Sequence, residues 1–590
     1  MENEAHEEKR EISPTAEQLV PHSTPDPKPE EISKSRPEST SESHTSSEKS
    51  VEKRKKSLYD FFFGWVKDNY DKTFLIILVI AFILRIYIFI ITKDQAVWWD
   101  AGDYLAAAKR WAGLNPNMID MWYYRRGFLW PLIGAMFFKS GLGELSIRFF
   151  TVLLSTGTVF VSYLLISKIF NKKLALWVSI GMTFSWIYFF FTGRPLTNLP
   201  ATFFLLISLF FFWKAYVLKK GNKYFYLFGI FFAITILIRM QYLMFIISFL
   251  FFAIIKEKFK FLKNKGLWIA LIIFIVILIP HLILYNAHFG NPALDLANYY
   301  LGVEGISQSG EVGVGLEKTS NLFVYILNIP YILDGGMSST TLFAFSPIYI
   351  LFVIGFFLFF GDLFLGLDKI FKSKKIQKKA FILFWIITSF ILLGYIAPQL
   401  EQRYVMQTLP FLFLIAFYPF LWVETFLIKK LKFNKKVATI VIVIIIILLM
   451  IPNYNFGKSL TESKKTSYQE VKWAGEWIKQ NSNPEDIIVG GSLPQLTYYS
   501  ERSVYPPVLA YRRDLPLGNE TDLDKFILEK RPKYYSISGY EAEQPWAFAY
   551  PDKHKDMMIP VQGYEREGKP ILVIYAFDYS NETALDRLRG

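Results

Sequence analysis

Eleven apolar runs, each near the length needed to cross a hydrocarbon core, constrain this chain more than any other feature. They fall at about 73–92, 145–167, 174–192, 199–218, 224–238, 240–255, 267–285, 341–361, 380–397, 404–428 and 437–452. Within lipid a backbone must satisfy its polar groups inside the segment, so runs of this length form helices. A further apolar stretch, FLWPLIGAMFF at 128–138, is short and carries Pro131, and it reads as interfacial or re-entrant. If it does not span and KRKK at 53–56 is inside, the Lys clusters at 168–173, 219–223, 256–265, 369–379 and 429–436 all fall inside as well. If it spans, every one of them is thrown outside. The expected fold class is therefore a polytopic α-helical membrane protein of about eleven transmembrane helices, with a cytoplasmic N-terminus and an extracytoplasmic C-terminus.

Composition agrees and excludes several chemistries. With 52% hydrophobic and 18% aromatic residues over 590 positions, the chain is too apolar for a string of soluble domains. The net charge of +14 lies in short patches between apolar runs, where topology explains it, and nucleic acid is not an expected partner. There is no cysteine, which removes disulfides, thiolate metal sites and cysteine nucleophiles. Residues 1–57 are rich in Glu, Ser, Pro and Lys and read as a disordered cytoplasmic tail rather than a secretory signal. The membrane domain is expected over 58–452, with outer loops at about 93–144 and 286–340. From 453 to 590 an amphipathic run (VKWAGEWIKQ) and short apolar strands in DIIVGG, KYYSIS and KPILVIYAF predict a small extracytoplasmic α/β domain. Its two Asn-x-Thr sequons, at Asn519 and Asn581, are compatible with an outward location.

Chemistry is to be sought in the outer segments. Asp100 and Asp103 stand three apart at the start of a predicted helix, which places both carboxylates on one face. Such residues can simply cap a helix and favour its first turn. Alternatively, one of them, held near an apolar boundary that raises its pKa, serves as a general base. Arg125 and Arg126 precede the interfacial stretch, and Arg194, Arg239 and Arg403 lie at outward helix ends, against the positive-inside trend. Guanidinium groups gathered on one surface call for an anionic partner such as a lipid-linked phosphate, although each could snorkel or pair with a local acid such as Glu401. His281 and His288 lack the spacing of a metal motif. The Gly-rich stretch at 302–318 lacks a phosphate-loop context and is a candidate mobile lid.

In arrangement these pieces resemble the GT-C membrane glycosyltransferases, in the branch containing protein O-mannosyltransferases and the lipid A aminoarabinose transferase. The resemblance covers about 93–410. It rests on Asp-x-x-x-Tyr after the first helix (Asp100 to Tyr104), a basic-plus-Pro interfacial segment (Arg126 to Pro131), Arg148 opening the second helix, an outward turn before the fourth (Arg194 to Pro200), FGNP starting a long outer loop, and RYVMQTLP opening the tenth. It implies a polyprenyl- or dolichyl-phosphate sugar as donor, Asp100 as base toward an acceptor hydroxyl, and Arg126 as the contact to lipid phosphate. The substrate-binding set would comprise Arg125, Arg126, Tyr104, Arg194, Arg239 and Arg403. Two departures stand out. Ala101 occupies a place where the family often has Glu, and Asn198 one where some members have an acid, so Asp103 is the candidate for the second acidic role. Members with paired acids use a divalent metal, whereas the branch resembled here implies that no cofactor is required.

The function expected is inverting transfer of a hexose or pentose from the lipid-phosphate carrier to a glycan, lipid or protein hydroxyl at the plasma membrane. The competing class is a transporter or flippase of lipid-linked glycans, which would place ionisable groups or broken helices near the bilayer midplane. A catalytically inactive binding protein is the third.

Overall fold

The computed structural model describes residues 66–122, 126–294, 322–335, 346–396, 400–507, 519–540 and 544–589. The expected tail, most of the outer loop with its lid, and Arg125 lie outside the described residues. The helices used below are α1 (Asn69–Thr92), α2 (Trp99–Trp111), α3 (Leu129–Lys139), α4 (Gly143–Ile169), α5 (Lys172–Phe184), α6 (Trp186–Phe191), α7 (Asn198–Phe212), α8 (Lys223–Ile238), α9 (Phe245–Glu257) and α10 (Lys265–Phe289). They continue as α11 (Pro347–Phe364), α12 (Lys374–Ile396), α13 (Leu409–Phe417), α14 (Phe420–Lys429), α15 (Lys435–Ser463), α16 (Gln469–Asn481) and α17 (Leu493–Ser500).

Every apolar run is mainly helical over its described residues, and eight helical segments among those residues are long and apolar enough to cross a membrane. The other three runs depart from a single long helix for visible reasons. The run at 174–192 breaks at Ser185 into α5 and α6, α8 has only 16 residues, and α9 is entered through a 3₁₀ turn, Met240–Met244. The interfacial stretch forms α3, whose 11 residues reach roughly 16 Å, about half of a hydrocarbon core. It is anchored where Trp130 donates its indole N–H to Pro195 O at 3.0 Å.

The break at Ser185 is matched by a buried charge inside a span, an exception to the expectation that the Arg and Asp residues concentrate at helix ends. Arg85, in α1, is fully buried. Its guanidinium donates to Met182 O at 3.0 Å, Thr183 O at 3.3 Å, Ala81 O at 3.1 Å and Ser155 Oγ at 2.9 Å. Carbonyls freed at the end of α5 thus receive a cation, the charge a helix C-terminus favours. The break is held from its other side by Asn453, whose Oδ1 accepts from Trp186 N at 2.7 Å. That contact also explains why α15 continues to Ser463, past the end of its apolar run. Gly457 lies against Trp186, so the polar extension packs on α6.

Beyond α16 the chain forms a five-stranded sheet in the order β2-β1-β3-β5-β4, built from β1 (Ile487–Gly490), β2 (Ser503–Tyr505), β3 (Tyr534–Ser538), β4 (Met558–Arg566) and β5 (Lys569–Phe577). β1 pairs in parallel with β2 and β3, while β3–β5 and β4–β5 are antiparallel. The three strands predicted from apolar runs are β1, β3 and β5, and the other two lie at the edges. β4 carries Pro560 and is mostly exposed, as an edge strand tolerates. Both sequon asparagines cap helices, Asn519 accepting from Asp522 N at 2.9 Å and Asn581 from Ala584 N at 3.1 Å.

Candidate active site

α2 begins immediately after the first span, with Trp98 at its N-cap and no side-chain cap, so Asp100 is not acting as a cap. It occupies the first turn and shares a face with Asp103. Arg126 bridges the two carboxylates, with Nη2 3.1 Å from Asp100 and Nη1 2.6 Å from Asp103. Arg403 approaches the other oxygen of Asp100 at 2.7 Å and keeps Nε 3.2 Å from Glu401. The two acids differ in access: the Asp100 side chain is 25% exposed and that of Asp103 is 3% exposed. Asp100 is the more accessible of the two.

Burial pushes the Asp100 carboxyl up, but Arg403, Arg126 and Arg239 together pull it further down, to about 2. The expectation of a raised pKa at an apolar boundary is thereby reversed. The boundary is present, but tertiary structure brings three cations to it.

Around this centre Tyr104 places its hydroxyl 3.3 Å from Thr197 Oγ1 and its ring 5.1 Å from the Arg126 guanidinium. Arg239 donates to the same Thr197 hydroxyl at 3.1 Å. The guanidinium groups of Arg239 and Arg403 sit over one ring, Tyr404, at 4.7 and 5.3 Å. Asp100, Asp103, Tyr104, Arg126, Arg239 and Arg403 are therefore brought together from three distant parts of the chain. Arg194 is engaged elsewhere. It is buried, stacks on Phe190 at 3.7 Å and Trp98 at 4.1 Å, and donates to Phe190 O, which fits a structural pin better than a phosphate contact. Arg148 is also structural, bound to Glu144 at 2.6 Å and to the carbonyls of Gln95 and Thr92 at 2.7 and 3.2 Å. His281 is buried against Phe128 with Nε2 3.0 Å from the Met240 sulfur, and His288 is exposed. Among the described residues no group of three or more His, Asp or Glu is placed to hold a metal ion.

Residues 127–284 match the family model of dolichyl-phosphate-mannose-protein mannosyltransferases. Two structures of ArnT from Cupriavidus metallidurans superpose on the fold. The apo state has 13% identity and a TM-score of 0.56, and the form bound to undecaprenyl phosphate has 12% and 0.53. Both cover 87% of this chain and 98% of theirs. The oligosaccharyltransferase of Archaeoglobus fulgidus, tethered with an acceptor peptide, matches at 13% identity and a TM-score of 0.54, over 85% of this chain and 74% of that one. No curated protein sequence matches. The chain has the fold of the GT-C membrane glycosyltransferases.

In this chain the sheet domain grips the helix that carries the carboxylates. Gly102, between Asp100 and Asp103, lies so close to α17 that a Cβ there would stand 2.8 Å from Pro494 C and 2.9 Å from Gln495 N. Lys109, at the far end of α2, binds Glu501 at 2.7 Å and Tyr498 O at 3.1 Å. Tyr498 donates to Glu144 at 2.6 Å, and Tyr499 accepts from Val97 N at 2.7 Å. These contacts fix α2 from the side opposite Arg126. Sequence reading missed them, along with Thr197 and Tyr404. The latter two were within reach, since both are polar or aromatic residues of outward turns already singled out for their arginines. The tail contacts carry no local signal.

Proposed function

We propose that the protein transfers a sugar from a polyprenyl- or dolichyl-phosphate carrier to an acceptor hydroxyl on the extracytoplasmic face, with inversion at the anomeric carbon. The observation that carries this reading is one carboxylate, Asp100, held between the guanidinium groups of Arg126 and Arg403 with Arg239 beside them. Arg126 and Arg403 are paired with carboxylates, but Arg239 has no carboxylate within ion-pair distance among the described residues, so its charge is left for an incoming phosphate, which arginine binds through paired donors. The ArnT structure bound to undecaprenyl phosphate shares the fold, which supports the same donor class here.

Asp100 accepts the acceptor hydroxyl's proton as that oxygen forms its bond to the anomeric carbon. On the opposite face the bond from carbon to phosphate oxygen breaks and the lipid phosphate leaves with the electron pair. Arg126, Arg403 and Arg239 oppose the charge that grows on it, an electrostatic contribution that is large in a dry site. A phosphate bound by the same arginines also relieves Asp100 of their pull, so its basicity rises when the donor is in place. Asp103, buried behind Arg126, is a positioning residue for that guanidinium. No step is routed through a metal, because an ion between the two carboxylates would have to displace the Arg126 guanidinium that bridges them.

Orientation follows from charge. The Lys-rich turns lie at the opposite ends of the helices that bring Arg239, Thr197 and Arg403 together, which supports an outward-facing centre and a cytoplasmic N-terminus; we place the protein in the plasma membrane as part of the same proposal. A transporter would use Arg85 and the break at Ser185 inside the membrane, yet the guanidinium of Arg85 donates to three carbonyls and a hydroxyl of the fold, which gives them a structural role. The deciding experiment incubates purified protein with a panel of polyprenyl-phosphate sugars and acceptors and measures released lipid phosphate by mass spectrometry. Release that depends on acceptor and fails in Asp100→Asn is expected; full turnover by Asp100→Asn would remove Asp100 as base.

A further inference from the structure

At the ends of α7 and α8 remote from Asp100, a cleft of about 380 Å³ opens between two turns and is lined by Tyr216, Lys219, Asn222, Glu257, Lys260 and Lys263. α8 separates the two places. It starts beside the cleft at Lys223 and ends where Arg239 reaches Thr197, and its 16 residues span roughly 24 Å. The cleft's acid is already engaged: Tyr216 donates to Glu257 at 3.0 Å, and Lys256 lies 3.8 Å from it. Lys219, Lys260 and Lys263 have no carboxylate within ion-pair distance among the described residues. Three ammonium groups therefore face one cavity, which calls for an anion.

The backbone around the cleft is shaped rather than relaxed. A π-helical turn, Trp213–Val217, ends α7, and the chain then turns through left-handed φ values of 51° at Lys219 and 114° at Gly221. π-turns and strained non-glycine residues persist where the surrounding structure holds them, often at sites. The rim identifies the medium. Phe259 is 74% exposed, Leu262 50% and Trp268 49%, and the first two alternate with lysines along the 3₁₀ turn Lys258–Lys263. Apolar and indole side chains beside ammonium groups belong at a bilayer surface, where acyl chains meet head groups. An anion that suits both the cavity and its rim carries acyl chains.

We propose that this cleft holds the phosphate head group of an anionic phospholipid in the leaflet opposite the Asp100 centre, with Lys219, Lys260 and Lys263 as its cations. Basic pockets between membrane helices bind such head groups by the combination of charge and apolar contact seen here. The site is separate from the donor site by position and by residue type.

Full-length protein stripped of lipid in detergent is titrated with phosphatidylglycerol, phosphatidylcholine or inorganic phosphate, and retained lipid is counted by native mass spectrometry. One tightly retained phosphatidylglycerol per chain is expected, with no equivalent for phosphatidylcholine. The triple variant K219Q/K260Q/K263Q should bind it at least about tenfold more weakly, and the corresponding triple Arg variant should retain it. All three lysines are exposed, so folding should survive, and Lys260→Glu alone gives a single-site variant that should weaken retention several-fold. K430Q/K432Q/K436Q removes the same charge from another Lys-rich turn and should leave retention unchanged. Equal retention by parent and K219Q/K260Q/K263Q, or an equal loss in K430Q/K432Q/K436Q, would overturn the site. Displacement of the lipid by inorganic phosphate at equal concentration would overturn the lipid as its ligand.

Discussion

The two ends of the helical bundle both gather cations, but they do so with different residues in different states. At the Asp100 end the cations are arginines, each fixed before any substrate arrives: Arg126 by two carboxylates, Arg403 by Asp100 and Glu401, Arg239 by Thr197 and the Tyr404 ring. At the other end Lys219, Lys260 and Lys263 are exposed around the cleft. A planar guanidinium loses little further freedom when it meets a phosphate, whereas a lysine on a mobile stem adapts to a head group that varies. Preorganised arginine suits transition-state stabilisation, and adaptable lysine suits attachment to lipid. The contrast supports placing catalysis at the arginine end.

The largest effect should come from Asp100→Asn, which keeps the shape and removes the proposed base. A loss of transfer on the order of 10² to 10⁴-fold is expected in single-turnover release of lipid phosphate, with donor binding retained. A loss below about threefold would move the base elsewhere. Next in size are the arginines. Arg126→Ala should lower kcat/KM by roughly a hundredfold, as loss of one oxyanion-type donor does, and Arg126→Lys should recover only part because it cannot span Asp100 and Asp103 at once. Equal donor affinity in both variants and the parent would sink the phosphate role.

The pH profile sharpens the same point. The Asp100 pKa lies at about 2, below the ordinary carboxylate value of about 3.9. Its pairing therefore stabilises the fold fully above that ordinary value, and the contribution is lost as pH falls through the lower one. The acid limb of kcat/KM, which reports the free enzyme, should lie below pH 4 in the parent. In Arg403→Ala burial is opposed by one cation fewer, and the limb should move upward by about one pH unit or more. An unmoved limb would show that Arg403 does not set the charge of Asp100.

How much of this could be read from the chain alone depends on how local each signal is. The spans were legible because length and apolarity are properties of consecutive residues, and β1, β3 and β5 for the same reason. Edge strand β4 was not, since its burial pattern is mostly exposed and Pro560 interrupts the reading. Asp100 and Arg126 stand out in the sequence because order and spacing mark them, and the fold brings them to within 3.1 Å of each other. The pull of Arg403 on Asp100, the direction in which Arg194 points, and the carbonyls that receive Arg85 are tertiary facts, set by residues far apart in sequence. The sign of the Asp100 pKa shift was misread on that account.

A smaller effect tests whether the arginine end is held from behind as well as from in front. Gly102→Ala would drive a methyl group against Pro494 and Gln495, and overpacking of this kind costs about 1–3 kcal/mol. Because α2 moves as a unit, Asp100 should shift relative to Arg403, and kcat should fall about tenfold or more while the protein still inserts and folds. Unchanged turnover with unchanged thermal stability would mean that the grip of the sheet domain on α2 does not matter to the chemistry.

The smallest expected effect isolates preorganisation from charge. Tyr404 contributes no formal charge, yet its ring underlies both Arg239 and Arg403. Tyr404→Leu keeps an apolar side chain there and removes only the ring's attraction for the two cations, worth about 1 kcal/mol for a partly exposed pair. If fixed arginines are what distinguish this end of the bundle, the donor KM should rise roughly fivefold and kcat should change less, because the cations remain but must be oriented on binding. Tyr404→Phe retains the ring and should behave like the parent. A loss shared equally by Phe and Leu would trace the effect to the hydroxyl instead, and the comparison between held arginines and free lysines would then rest on the carboxylates alone.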